Sequence, residues 1–95
     1  MSHEVHHGDF PMELQFLFDE LADEGFEFIY GEVDGEQGGI GAIAEKEETE
    51  ILVTDATQTW LLTMRCPNRP DVDDCWDYPS RVRGEVWKWL QDYGD

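Results

Sequence analysis

The net charge of this 95-residue chain constrains its fold more than any other feature of the sequence. It contains 23 Asp and Glu residues against 6 Lys and Arg residues, which gives a formal net charge of -17 at pH 7. Self-repulsion of this size destabilises a compact state, so a folded chain must compensate for the repulsion or make use of it. Two explanations are open: an acidic surface for a basic partner, and a solvation layer for a very salty cytoplasm.

The charge is unevenly distributed along the chain. Residues 1–59 hold sixteen acids and one base, Lys46, for a net charge of -15, whereas residues 60–95 hold seven acids and five bases, for a net charge of -2. A surface adapted to high salt should be acidic throughout, and a binding surface should be acidic in one place. The asymmetry therefore favours binding.

The composition predicts one folded domain. Hydrophobic residues make up 40% of the chain and aromatic residues 13%, more than a disordered acidic tail contains. We find no apolar run long enough to cross a membrane and no basic and apolar leader of the secretory type, so the expected location is the cytoplasm. The negative charge also disfavours direct contact with nucleic acid or with anionic membranes.

We predict a flexible tail over residues 1–8 and a single α+β domain over residues 9–95. The first helix should have Asp9 as its N-cap and should end at Gly25. A second helix is predicted over Pro79–Tyr93. Apolar residues recur at helical spacing in both helices: Phe10, Leu14, Leu17, Phe18 and Leu21 in the first, and Val82, Val86, Trp89, Leu90 and Tyr93 in the second.

Short β segments fill the space between the helices. Four strands are predicted, over Phe26–Val33, Ile40–Ala44, Glu50–Thr54 and Gln58–Arg65, with Asp34 and Gly35 as a turn signal after the first. The prolines and acids between Cys66 and Asp77 predict an irregular loop. The short connections favour an antiparallel meander, and the expected order is α-β-β-β-β-α, with both helices covering the sheet.

The sequence predicts no metal, no cofactor and no catalytic residues. Cys66 and Cys75 match no zinc pattern, and we expect them to be unpaired thiols. His3, His6 and His7 fall in the predicted tail, where a preformed metal site is not expected. We find no nucleophile with a base and an orienting group, so we do not expect an enzyme.

Carboxylates of the first helix, the first strand and the second turn are the candidate contacts with a partner. Two tryptophans outside the main apolar stripes are added as interface anchors. The candidate partner-binding residues are Glu13, Asp19, Glu20, Asp23, Glu24, Glu27, Glu45, Glu47, Glu48, Trp76 and Trp87.

Two like-charge pairs within the first helix support this prediction. Asp19 and Asp23, and likewise Glu20 and Glu24, lie four residues apart, where repulsion weakens a helix. Their presence suggests a use outside the fold. On this interpretation, reversing Glu20 and Glu24 to Lys should leave the fold intact or raise its melting temperature, and should weaken binding of the partner.

In size, charge and layout the chain resembles the small nucleic-acid-mimicking inhibitors encoded by phages, which include anti-CRISPR proteins, uracil-glycosylase inhibitors and anti-restriction proteins. The resemblance rests on no shared motif. It implies stoichiometric binding to the basic groove of a CRISPR effector, a nuclease or another nucleic-acid-binding protein. Two alternatives remain open: a haloarchaeal domain whose acidity is adaptation to salt, and an immunity protein that neutralises a basic nuclease toxin.

Overall fold

In a computed structural model of the chain, residues 5–33, 39–56, 59–67 and 69–93 are described. A short 3-10 turn, His7–Asp9, precedes two α-helices that flank five strands. The elements in chain order are α1 (Met12–Asp23), β1 (Glu27–Val33), β2 (Gly39–Lys46), β3 (Thr49–Ala56), β4 (Thr59–Arg65), β5 (Val72–Trp76) and α2 (Pro79–Tyr93).

The five strands form one antiparallel sheet in the order β1-β2-β3-β4-β5, so each strand pairs with its neighbour along the chain. The predicted α+β domain, a meander sheet with an N-terminal and a C-terminal helix, is confirmed. The predicted turn at Asp34 and Gly35 lies outside the described residues.

The sheet has one strand more than the four predicted, because β5 forms within the segment predicted to be an irregular loop. Val72 lies opposite Met64, and Trp76 lies opposite Trp60. An edge strand needs a partner on one side only, and short edge strands that carry charges are common in natural sheets. Asp73 and Asp74, two of the acids that predicted a loop, are exposed on β5. They are therefore compatible with an edge strand.

Both helices pack on the same face of the sheet. That face carries buried apolar side chains from alternate strand positions, including Ala44, Ile51, Leu62 and Met64. The apolar stripes of the helices complete the core, as predicted: the residues Leu14, Leu17, Phe18 and Leu21 of α1 and Val82, Val86 and Trp89 of α2 are all buried.

The C-terminal end of α1 is built as predicted, and its N-terminal end is not. Gly25 has φ 100°, and the N–H groups of Gly25 and Phe26 donate to the carbonyls of Ala22 and Leu21, which closes the helix in a Schellman motif. The predicted N-cap, Asp9, belongs instead to the 3-10 turn, where its carboxylate accepts the N–H of His6 at 2.9 Å. Pro11 occupies the cap position of α1.

The segment predicted as a flexible tail packs on the domain from Val5 onward. Val5 is 7% exposed and joins the core, and His7 lies in the 3-10 turn beside Phe18. An apolar residue surrounded by polar neighbours gives little sequence signal of its own, so only the assembled core reveals its burial. Residues 1–4, with His3, lie outside the described residues.

Cys66 and Cys75 are both free thiols, in agreement with the prediction. Cys75 is exposed on β5, opposite Leu61. Cys66 follows β4, and its sulfur accepts a hydrogen bond from the Thr49 hydroxyl at 3.5 Å.

Gly84 is an exposed position within α2, and we expect its replacement by alanine to stabilise the protein. A Cβ atom built at Gly84 meets nothing within 4 Å. Glycine in a helix interior is about 1 kcal/mol less favourable than alanine, so Gly84→Ala should raise the free energy of unfolding by about that amount. Urea unfolding of the two proteins checks this. A loss of stability would mean that Gly84 is needed for a contact of the folded chain.

Candidate functional site

Carboxylates from three separate parts of the chain lie together at one end of the molecule. The C-terminal end of α1 lies against the β2–β3 turn, since a Cβ atom at Gly25 would lie 3.5 Å from the Lys46 side chain. The start of β1 and the ends of the neighbouring strands meet at the same place. We call this region the acidic end. Its acidic side chains are all exposed, and they are Asp23, Glu24, Glu27, Glu45, Glu47, Glu48 and Glu50.

The strand register places like charges of the acidic end directly opposite one another. Glu27 pairs with Glu45, and Glu45 pairs with Glu50 on the next strand. Like charges in such cross-strand pairs are destabilising. Glu50 also lies opposite Arg65, which compensates part of its charge. The Glu27–Glu45 pair is thus the least compensated part of the row.

The turn between β2 and β3 contains a residue in an unfavourable backbone conformation. Glu47 has φ 56°, in the left-handed region where glycine or asparagine is preferred. Glutamate at this position therefore makes the turn locally less stable than glycine would. Backbone strain of this kind is concentrated at functional positions in proteins.

Two bases near the acidic end lie over aromatic rings. The Lys46 ammonium lies 5.8 Å from the centre of the Phe26 ring, and the Arg69 guanidinium lies 5.0 Å from that of Trp89. Both residues line an open cleft of about 660 Å³ between the β2–β3 turn and α2, together with Glu24 and Trp87. Because the cleft has both acids and bases, it has no clear preference for an anion or a cation.

Three predicted contact residues, Glu13, Glu20 and Trp87, belong to a polar network that joins the two helices. Arg83 of α2 donates from Nε and Nη2 to the two carboxylate oxygens of Glu20, at 3.1 and 2.6 Å. Its Nη1 donates to Glu13 at 3.1 Å, and the indole N–H of Trp87 donates to Glu20 at 3.0 Å. A bidentate arginine–carboxylate contact is among the stronger polar interactions in proteins.

This network changes the interpretation of Glu20. Its carboxylate is used within the fold, so the repulsion between Glu20 and Glu24 is offset by Arg83 rather than kept for a partner. The prediction that lysine is tolerated at both positions assumed that the Glu20 carboxylate has no partner within the fold, and its hydrogen bonds with Arg83 and Trp87 contradict that assumption. Trp87, predicted as an interface anchor outside the apolar stripe of its helix, is partly buried against the core.

The two remaining candidates have separate surroundings. Asp19 lies 3.1 Å from the Nε2 atom of His7. Trp76 lies on β5 rather than in a loop, and it is partly buried against the core. The structure therefore brings Asp23, Glu24, Glu27 and the carboxylates of the β2–β3 hairpin together. It places Glu13, Asp19, Glu20 and Trp76 elsewhere, whereas Trp87 both donates to Glu20 and lines the cleft beside Glu24.

The pKa of Glu20 should make the stability of the fold depend on pH. Hydrogen bonds from Arg83 hold the pKa of the Glu20 carboxyl below its ordinary value of 4.5, although partial burial acts in the opposite direction. The stabilisation by ionised Glu20 is therefore fully present above about pH 4.5 and is lost as the pH falls through the lowered pKa. We expect the difference in free energy of unfolding between the wild type and Glu20→Gln to be constant from pH 7 to 5 and to shrink below pH 4.5.

Urea unfolding over this pH range measures the difference. Glu24→Gln is the control, because Glu24 is exposed at the end of the same helix. We expect it to change stability by less than about 0.5 kcal/mol at every pH. A constant difference for Glu20→Gln down to pH 3 would contradict the assignment.

Comparisons with known protein families, with curated proteins and with solved structures find no match to this chain. Among the described residues, no group of three or more His, Cys, Asp and Glu side chains is arranged to hold a metal ion. None of the described helices is long and apolar enough to span a membrane.

Sequence reasoning missed an apolar surface on the sheet face opposite the helices. Ile29 is 61% exposed and Leu61 is 40% exposed on that face. Consecutive apolar residues within a strand, such as Phe28-Ile29-Tyr30, are the signal that could have revealed it. Alternation places such neighbours on opposite faces, so an unbroken apolar run predicts that both faces are apolar.

Proposed function

We propose that this protein is a non-catalytic inhibitor that binds a basic groove of a nucleic-acid-binding protein through its acidic end. The observation that carries the proposal is the row of exposed carboxylates across three strands, in which Glu27 lies directly opposite Glu45. This row weakens the sheet, and a basic partner would convert the repulsion into binding energy.

The charge density of the row suits a groove that accepts nucleic acid. Neighbouring strands lie about 4.8 Å apart, so the row presents one carboxylate at roughly that interval. One strand of DNA carries a phosphate for about every 3.4 Å of helix axis. A groove with arginine and lysine side chains for phosphates would therefore meet a comparable line of charge. Binding would release counterions from both surfaces and would weaken steeply as salt rises.

The class of partner is the nucleic-acid-binding machinery that phage-type inhibitors block, with a host defence complex of the CRISPR type as the first candidate. A basic nuclease toxin would present the same chemistry, and the chain would then be an immunity protein. Both versions share one mechanism, in which the chain occupies the site of the nucleic acid and catalyses nothing.

The test is capture followed by competition. The immobilised protein is incubated with a bacterial lysate in about 0.1 M salt, and each captured protein is purified and tested for nucleic-acid binding by mobility shift. We expect an equimolar amount of the chain to release the nucleic acid. The Glu27→Gln/Glu45→Gln variant should fail to do so. Asp74→Asn/Asp77→Asn, which removes the same charge at exposed positions on and after β5, should act like the wild type. Captured proteins that keep their nucleic acid in the presence of the chain would refute the proposal.

Salt dependence of folding separates this proposal from adaptation to high salt. Screening in 0.1 M salt acts over about 10 Å, so much of the repulsion between neighbouring carboxylates persists there. We expect a cooperative thermal transition in 0.1 M KCl, with a melting temperature that rises further as KCl is added. Circular dichroism measures it. A chain that unfolds cooperatively only in molar KCl would instead be a halophilic domain.

A further inference from the structure

The face of the sheet opposite the helices carries a continuous apolar stripe. Ile29 lies opposite Ile43, and Ile43 lies opposite Leu52 on the next strand. Leu61 of β4 is the diagonal neighbour of Leu52, since it lies two residues along β4 from Thr63, the direct partner of Leu52. The direct partner of Leu61, Thr54, is only 8% exposed and Gly41 beyond it is buried, so the stripe follows Ile29, Ile43, Leu52 and Leu61. We call this surface the open face.

The open face is more apolar than a solvated sheet needs. An antiparallel sheet with one face in water usually alternates apolar and polar residues. Here β1, β3 and β4 have apolar residues on both faces, although the chain is rich in acids. The apolar residues on the face opposite the helices are Ile29, Leu52 and Leu61. Clustered exposed apolar side chains with a polar border are typical of protein contact sites.

The border of the open face indicates the kind of partner. Glu27, Glu45 and Glu50 lie on the same face, two residues along their strands from Ile29, Ile43 and Leu52. Two residues correspond to about 7 Å. The stripe thus runs parallel to a row of carboxylates that ends at Arg65. A second copy of the chain would bring another net charge of -17 to this border, so a basic partner fits better.

We propose that the open face binds an apolar patch bordered by lysine and arginine side chains on a partner protein. This inference rests on the proposed function and extends it: the acidic row selects and steers the basic groove, and the stripe adds contact that salt does not screen. Affinity for the partner should therefore fall with salt to a plateau rather than vanish, because burial of apolar surface is independent of screening.

The test uses two synthetic helical peptides with identical lysine positions. One carries leucines along its apolar face, and the other carries serines in their place. Binding to the full chain is measured by calorimetry in 0.1 M and 0.5 M KCl. We expect the leucine peptide to bind at least tenfold more tightly than the serine peptide at both salt concentrations.

Variants locate the contact on the protein. Ile29→Ser/Leu61→Ser should remove most of the tenfold difference and leave binding of the serine peptide unchanged. Met12→Ser/Tyr78→Ser is the matched control, since both side chains are exposed elsewhere, by 66% and 71%, and it should keep the difference. Thermal melts confirm that each variant is folded.

Three results would overturn the inference. The first is equal affinity of the two peptides, and the second is an equal loss of the leucine–serine difference in Met12→Ser/Tyr78→Ser. The third is a dimer in 1 M KCl that Ile29→Ser/Leu61→Ser abolishes, which would mean that a second copy of the chain occupies the open face. The proposed function has a separate point of failure, since competition with nucleic acid depends on Glu27 and Glu45. Loss of the leucine effect with intact competition would remove this inference alone.

Discussion

Replacing Glu20 with lysine is expected to lower the free energy of unfolding by about 2–3 kcal/mol, since the change removes charge-assisted hydrogen bonds and places a cation beside Arg83. Arg83 and the Trp87 indole would lose their shared acceptor. The Glu20 and Arg83 side chains are 39% and 32% exposed, so solvent reduces the effect from that of a buried pair. The measurement is urea unfolding at pH 7.

Glu24→Lys is the control for this experiment. Glu24 follows the last residue of α1 and is exposed. A cation there is favourable to the helix dipole and relieves repulsion, so we expect no loss, or a gain of about 0.5 kcal/mol. Lysine is thus expected to have opposite effects at two residues of one like-charge pair. Equal free energies of unfolding for the two variants would show that the Arg83 network does not stabilise the fold.

A double-mutant cycle of Glu20→Gln and Arg83→Gln isolates the contact from other effects of the substitutions. Neighbours that interact directly show coupling energies of about 0.5–3 kcal/mol. We expect a coupling within this range. Additive effects would place the stabilisation elsewhere, for example in the packing of the Arg83 guanidinium near the Phe16 ring.

Neutralising Glu27 and Glu45 together is expected to stabilise the protein and to weaken its binding of a basic partner. Removing one like-charge cross-strand pair should contribute up to about 1 kcal/mol to stability. The same change should weaken affinity roughly thirtyfold, if each lost charge pair is worth about 1 kcal/mol in a wet interface. Thermal melts and calorimetry with the captured partner, on the same variant, measure both effects.

The control has the same net charge. Asp74→Asn/Asp77→Asn should keep the affinity within about threefold, because its charges lie away from the acidic end. Its stability should be unchanged or slightly lower, since Asp77 lies close to the N-terminal end of α2. Equal losses of affinity in both variants would mean that total charge, and not the acidic end, drives association.

The carboxylates of the acidic end can be substituted without removing contacts that stabilise the fold. Within the described residues, the carboxylates of the acidic end make no hydrogen bond or ion pair with the helices or the core, whereas Glu13 and Glu20 accept hydrogen bonds from Arg83. Substitutions at Glu27 or Glu45 can therefore test binding without unfolding the chain. Substitutions at Glu20 cannot, because stability and any effect on binding would change together.

The local features of the fold could be predicted from the sequence, because they depend on residues a few positions apart. The apolar spacing of Leu14, Leu17 and Leu21 is sufficient to define one helix face, and Gly25 is sufficient to end the helix. The apolar segments between the helices likewise indicated antiparallel strands with short connections. The single α+β domain follows from these signals.

The tertiary structure decided the features that join distant parts of the chain. Glu20 and Arg83 are 63 residues apart, so no local pattern distinguishes Glu20 from Glu24, yet one is used by the fold and the other is exposed to solvent. Strand β5 forms because β4 offers a free edge to Val72 and Trp76, against the local preference of an acidic, proline-flanked segment. Register alone places Glu27 opposite Glu45 and Ile29 opposite Ile43. The amount of charge was therefore a property of the sequence, and its arrangement beside an apolar surface was a property of strand pairing.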